Sequence, residues 1–177
     1  MKETSLAWLA AAYKIFALEG KSGLKIERLA RLVGLSKSSF YHHFVDFDFF
    51  FEMLLAYHEE RILQLLEAEK MCERLVPDFI DLCLERKDDL FFHQKVRTLR
   101  SDTKIDSLLK RMDTQVMHVF LSIWSKEIKG KWSLDQLQSL YPLASEYFFS
   151  NLTEDSFQKE SLSELFQKLL SLSDQFT

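Results

Sequence analysis

Few side chains in this sequence could do chemistry, and their spacing argues against most of what they could do. His58, Glu59 and Glu60 mix an imidazole with carboxylates. Neighbouring residues on a helix point to different faces, and no second histidine follows three or four positions on, so the run makes no metal site and reads as a solvated helix face. Cys72 and Cys83 stand eleven apart with no second pair and no histidine at ligand spacing, which suits buried thiols rather than zinc or a disulfide framework. His93 and His118 are single histidines among apolar neighbours and read as hydrogen-bonded core or pocket residues. A nucleophile needs a base within reach and a strained turn to activate it; Ser and Cys here sit in plain helical surroundings without a Gly-rich loop. The sequence therefore carries no enzyme signature, and it calls for no metal or cofactor.

The spacing does support a mechanical motif. Two helices that cross closely through a turn of three or four residues need a small side chain at the crossing, a glycine in the turn and an apolar anchor on the second helix. Ala30, Gly34 and Phe40 supply these in order, and Leu29, Val33 and Leu35 add the apolar packing expected around them.

Helices must position those residues, and the composition favours helices. Only 4 Gly and 2 Pro among 177 residues leave few tight turns for a many-stranded fold, while 47% apolar and 14% aromatic content can fill a core. Leu6, Leu9, Ala10, Tyr13, Phe16 and Ala17 recur at steps of three and four and form one face of a first helix, which Gly20 and Gly23 end. A second helix, about 25–33, buries Ile26, Leu29, Ala30 and Val33. Gly34 stops it, because only a residue without a side chain enters the left-handed region free of strain. Ser36 can cap a short third helix with Phe40 and Phe44 on its inner side, and Asp46 or Asp48 can cap a fourth that begins near Phe49 and passes Glu67. Further helices are expected at about 77–86, 88–99, 104–128 with Gly130 as its stop, 134–152 and 162–176. The expected fold is all-α with about nine helices.

Charge is unevenly placed along the chain. Residues 1–44 hold seven Lys or Arg against three Glu, a net of +4, whereas the other 133 residues hold sixteen against twenty-four acidic residues, a net of −8. No run of about 18 apolar residues exists, and the N-terminus lacks the pattern of a signal peptide, so a soluble cytoplasmic protein without membrane contact is expected.

From about Leu9 to Leu54 the pattern resembles the TetR-like family of transcription regulators. It is carried by Ala12 to Phe16, Gly20, Ile26 to Gly34, then Leu35-Ser36-Lys37-Ser38-Ser39-Phe40 and Tyr41-His42-His43-Phe44. The resemblance implies a helix-turn-helix head at residues 1–47, held together by Leu29, Ala30, Gly34, Phe40 and Phe44, and a helical body at 48–177 that dimerises and binds a ligand. Double-stranded DNA is then the partner of a homodimer. Its third helix would enter the major groove, which makes Lys37, Ser38, Ser39, Tyr41, His42 and His43 the candidates for contact, with domain packing an equal alternative for His43. The family's mechanism is repression relieved by a small apolar or amphipathic effector. A regulator of the same fold without such an inducer is the alternative, and a helical scaffold or enzyme ranks below both. Candidate pocket residues are Phe91, Phe92, His93, Phe120, Trp124 and Phe148, core material that would also suit an apolar cavity. Leu137, Leu140, Tyr141, Ala144, Tyr147, Leu165, Phe166 and Leu169 on the last two helices are the candidate dimer face. Two positions depart from the pattern: Leu24 and Phe47 stand where relatives usually carry phosphate-holding polar residues.

Overall fold

The computed structural model describes residues 3–127 and 132–175, with side chains described up to 171. Among them the chain forms nine α-helices and no strand: α1 (Glu3–Glu19), α2 (Ile26–Val33), α3 (Lys37–His43), α4 (Phe47–Glu69), α5 (Ile80–Glu85), α6 (Lys87–Arg97), α7 (Thr103–Glu127), α8 (Leu134–Asn151) and α9 (Lys159–Gln175). The all-α expectation holds. Gly130, the expected stop of the seventh helix, lies outside the described residues, as does Phe176 at the end of the last. No described helix is long and apolar enough to cross a membrane.

Helix boundaries follow local chemistry. The Asp46 carboxylate accepts the Phe49 N–H at 2.8 Å, so of the two candidates Asp46 caps α4. The helix expected from Pro77 begins later. Val76 is extended, Leu75–Phe79 forms one wide turn with a cis Val76–Pro77 bond, and regular helix starts only at Ile80. Asp78 holds that turn by accepting the N–H groups of Glu73 and Arg74 at 3.0 and 3.1 Å. Ser133 and Gln136 form a reciprocal capping box at the start of α8.

The chain divides into two compact units, Met1–Leu63 with Asp88–Leu109, and Gln64–Lys87 with Lys110–Thr177. Compactness thus divides the chain at other points than the boundary at 47/48, which was drawn by role. In the first unit α1 is the central element. It buries Trp8, Leu9, Ala12, Tyr13, Ile15, Phe16 and Ala17, while Leu6, expected on that face, is 41% exposed.

A polar network crosses the core of this first unit. His58, expected on a solvated face, is fully buried and stands in register with Leu54 and Ile62 on the inner stripe of α4. Tyr13 donates its hydroxyl proton to Asp89 at 2.7 Å, and Asp89, fully buried on α6, also accepts a two-pronged contact from the Arg61 guanidinium. With its only proton committed, the Tyr13 oxygen must accept from His58 Nδ1 at 2.7 Å. A neutral His58 then has Nε2 free to accept from His93 Nδ1 at 3.2 Å. The network joins α1, α4 and α6, and Phe92 seals it by stacking on Tyr13 at 4.2 Å.

Burial, then the neighbouring His93 and Arg61, hold the His58 imidazole well below its ordinary value. A base held neutral in the fold contributes stability that is fully present above the unfolded-state value of about 6.5 and is lost as pH falls below it. Nitrogen-15 spectra are therefore expected to show His58 as the neutral Nδ1–H tautomer at about pH 5.5, a full unit under the ordinary imidazole value. An imidazolium signature at that pH would refute the assigned network.

The second unit has an aromatic interior. Phe79 packs against Phe120 at 5.3 Å and Phe166 at 5.4 Å, Phe120 reaches Trp124 at 5.7 Å, and Phe148 meets Phe166 at 5.4 Å. Each such pair contributes about 0.5–1.5 kcal/mol beyond the burial of its area. Cys72 and Cys83 are both free and buried, as their spacing suggested.

Candidate nucleic-acid interface

The geometry of α2 and α3 is set at two glycines. Gly23 precedes α2 where a Cβ would come within 2.6 Å of Glu19 Cβ, so the close return of the chain against α1 requires a residue without a side chain. Gly34 caps α2 in the left-handed region at φ 70°, ψ 28°. Its N–H and that of Leu35 turn back on the end of α2, Leu35 reaching the Ala30 carbonyl at 2.9 Å. Ala30 is buried at the crossing, as the motif requires.

Ser36 then starts α3, its hydroxyl accepting the Ser39 N–H at 3.2 Å. Phe40 anchors the helix. It is fully buried, with its ring 5.4 Å from Trp8 of α1, 5.1 Å from Phe44 and 5.0 Å from Phe50 of α4. Anchoring one side of a seven-residue helix by Phe40 and Phe44 turns the other side outward. Lys37, Ser38 and His42 are exposed, Tyr41 is 51% exposed, and Ser39 and His43 are half-buried.

Three of the candidate side chains have partners of their own, Ser38 Oγ lying 2.8 Å from Ser36 Oγ. Lys37 Nζ donates to Glu27 Oε1 on α2 at 2.6 Å, an exposed ion pair that raises the Lys37 ammonium and lowers the Glu27 carboxyl from their ordinary values. His43 Nδ1 lies 3.4 Å from Ser5 Oγ on α1, a contact that favours packing for His43. Sequence reasoning missed Glu27. It sits ten residues from Lys37, on another helix, and only the crossing of α2 and α3 brings the two together. It also missed the two-pronged pair between Arg28 and Glu19, with both contacts at 2.6 Å. Leu24, one of the two departures, is buried in the core at 4% exposure, and Phe47 is half-buried beside Phe50.

The remaining candidates fall in both units. Phe91, Phe92 and His93 are buried in the packing of the first, where Phe92 and His93 belong to the network around Tyr13 and His58. Phe120, Trp124 and Phe148 lie in the aromatic interior of the second. On the proposed dimer face Leu137, Tyr141, Ala144, Phe166 and Leu169 are already buried within one chain, which leaves Leu140, Tyr147 and Leu165, each half-buried, with surface to offer a partner.

Adding a Cβ at Gly34 meets nothing within 4 Å, so any cost of Gly34→Ala comes from the backbone alone. The left-handed conformation then predicts a loss of about 1–2 kcal/mol in urea unfolding, with the helical circular dichroism spectrum unchanged. Unaltered or increased stability would mean that φ at this position is not held positive.

Residues 9–46 match the family model described as "Bacterial regulatory proteins, tetR family". Across the whole chain the fold is similar to that of a protein described as a TetR-family transcriptional regulator from Rhodococcus sp., at 18% identity over 98% of each chain with a TM-score of 0.57. It is also similar to a transcriptional regulator (TerR/AcrR family) from Aquifex aeolicus VF5, at 19% identity over 94% of this chain and 99% of that one, with a TM-score of 0.59. At such identities the likeness is one of fold. No curated protein matches the chain.

Proposed function

We propose, from the match of residues 9–46 to the family model of bacterial regulatory proteins of the tetR family, that this chain is a repressor which grips DNA through α3 and is released by a small amphipathic effector. The observation that carries this reading is the polarity of α3. Phe40 and Phe44 hold one side inside, and Lys37, Ser38, Tyr41 and His42 are presented together on the other. A short helix of that kind suits the major groove and its flanking phosphates.

Each contact has its chemistry. Lys37 offers a cation to a phosphate, provided the phosphate displaces Glu27, and Ser38 and Tyr41 offer hydroxyl donors to the DNA backbone. His42 can reach a base edge. With Leu24 buried and Phe47 half-buried, neither replaces the phosphate contact expected of its position, so hold on the backbone rests on fewer groups.

Two heads are needed to read two half-sites about 34 Å apart or a multiple of that, and α8 and α9 of a second copy would supply the pairing. Leu140, Tyr147 and Leu165 are our choice for its centre, with Leu143, 64% exposed on α8, beside them. An effector bound in the body acts by favouring a conformation whose heads no longer match that separation. Its effect on DNA affinity cannot exceed its own difference in affinity between the two conformations.

Selection of bound fragments from random DNA tests the whole reading: a palindromic site is expected, and recovery of no enriched sequence would remove the regulator assignment. On the selected site, Lys37→Ala is expected to weaken binding to all sequences alike and to lower the slope of log K against log salt by about one. Glu27→Gln should tighten binding, because Lys37 is freed. A slope that stays intact while preference changes at one base pair would place Lys37 on a base instead.

A further inference from the structure

We propose that a second copy of this chain docks on the first unit, the acidic and apolar edge around Val45, Asp48 and Phe49 of one copy meeting the basic and apolar outer side of α2 around Arg31 and Leu32 of the other. This contact is separate from the α8 and α9 pairing proposed above and does not depend on DNA binding.

The starting observation is apolar surface that no packing uses. Val45, in the turn between α3 and α4, is 80% exposed, and Phe49 stands exposed one turn on while Phe50 and Phe51 beside it are buried. Asp46, Asp48 and Glu52 are exposed on the same side. An acid in the first turn of a helix is accounted for by the positive end of that helix. Two neighbouring apolar side chains held in water among carboxylates are not, and such a patch marks a contact surface. Carboxylates only accept hydrogen bonds, so the side chains of this edge have no donor to offer a phosphate, which argues against DNA as its occupant.

The complement lies on α2. Arg28, Arg31 and Leu32 follow steps of three and four along its outer side, and Leu32 is 61% exposed. One unit thus carries exposed apolar residues set among acids in one place and an exposed apolar residue set among cations in another. A second copy supplies each with its opposite, giving an apolar centre and a charged rim of matched sign.

The pairings within one chain single out which charges meet. Asp46 caps α4, and Glu52 Oε1 lies 3.5 Å from Lys104 Nζ. Arg28 is held by Glu19, and Glu27, at the margin of the same side of α2, is held by Lys37. Asp48 and Arg31 have no ion pair of their own among the described residues. Each also adjoins an exposed apolar residue, Phe49 for Asp48 and Leu32 for Arg31. Exposed charges attract weakly in water and are screened by salt, so the contact is weak and strongest at low ionic strength.

The test uses the full chain without DNA. Sedimentation is followed up to about 1 mM protein, where a Kd of that order is still visible, at about 20 mM and about 300 mM salt. A rise of mass with concentration is expected at low salt, weakened at least about threefold at high salt. Asp48→Arg and Arg31→Asp each place like charges across the contact and should each weaken it about three- to tenfold. An equimolar mixture of the two variants should associate as the unaltered chain does, because every contact between unlike copies again joins opposite charges. Leu32→Ser should weaken association as well. All three sites are exposed, so the variants are expected to keep the helical circular dichroism spectrum. Absence of salt-sensitive association in the unaltered chain, a mixture no better than its two components, or association indifferent to all three substitutions would overturn the proposal. A salt-insensitive dimer common to every variant is the mark of the α8 and α9 pairing; without further association it overturns this contact and leaves that one standing.

Discussion

The burial of one ring organises the N-terminal part of the molecule. Phe40 is fully enclosed by Trp8, Phe44 and Phe50, so a helix of seven residues, too short to be stable on its own, takes its orientation from α1 and α4. Loss of a ring of this size from such a site costs on the order of 3 kcal/mol or more. The other constraints serve the same contact. Gly34 turns the chain sharply enough to bring α3 back, Ser36 starts the helix at the right residue, and Gly23 lets α2 begin close against α1. Whatever α3 presents to a partner is fixed from behind by this packing.

Buried polarity is met unevenly within both units. In the first, Tyr13, Asp89, Arg61, His58 and His93 satisfy one another, and the proton positions follow from counting donors. Such a network specifies how α1, α4 and α6 pack, because a shift of any one helix would strand a buried donor or acceptor. Other buried polar atoms have no hydrogen-bond partner: Trp8 Nε1 in the first unit, and Glu69 Oε1, Trp124 Nε1 and Trp132 Nε1 in the second.

Periodicity and turn chemistry were enough to read the helices and the motif. The steps of three and four in Leu9, Tyr13 and Phe16 mark the inner face of α1, and Ala30, Gly34 and Phe40 mark the crossing of α2 and α3. His58 shows where reading by neighbours fails. Its acidic companions Glu59 and Glu60 suggested solvent, but its register with Leu54 and Ile62 placed it inside, and register decides burial on a helix. The pairing of Lys37 with Glu27 had no signal along the chain, since it depends on the angle between two helices rather than on spacing within one. Phe92 and Phe120 were grouped as one aromatic set, yet composition cannot say which unit a ring packs in, and they fall in different ones.

The seven cations of the N-terminal segment are not equally available, although its net of +4 already counts the acids that pair with them. Two of its cations, Arg28 and Lys37, already face carboxylates on Glu19 and Glu27, and both acids lie on the elements that carry α3. An exposed ion pair of this kind is worth little to stability, so it is easily exchanged for a phosphate. It still sets a condition. A phosphate must be positioned well enough to outcompete a carboxylate held 2.6 Å away, which a DNA backbone approaching at the wrong angle or distance does not achieve. On the DNA-binding reading proposed above, internal pairing would leave these two cations fewer contacts to make non-specifically, and a correctly seated duplex would recover them. On that reading, Glu27 would shift the balance of binding from charge towards fit.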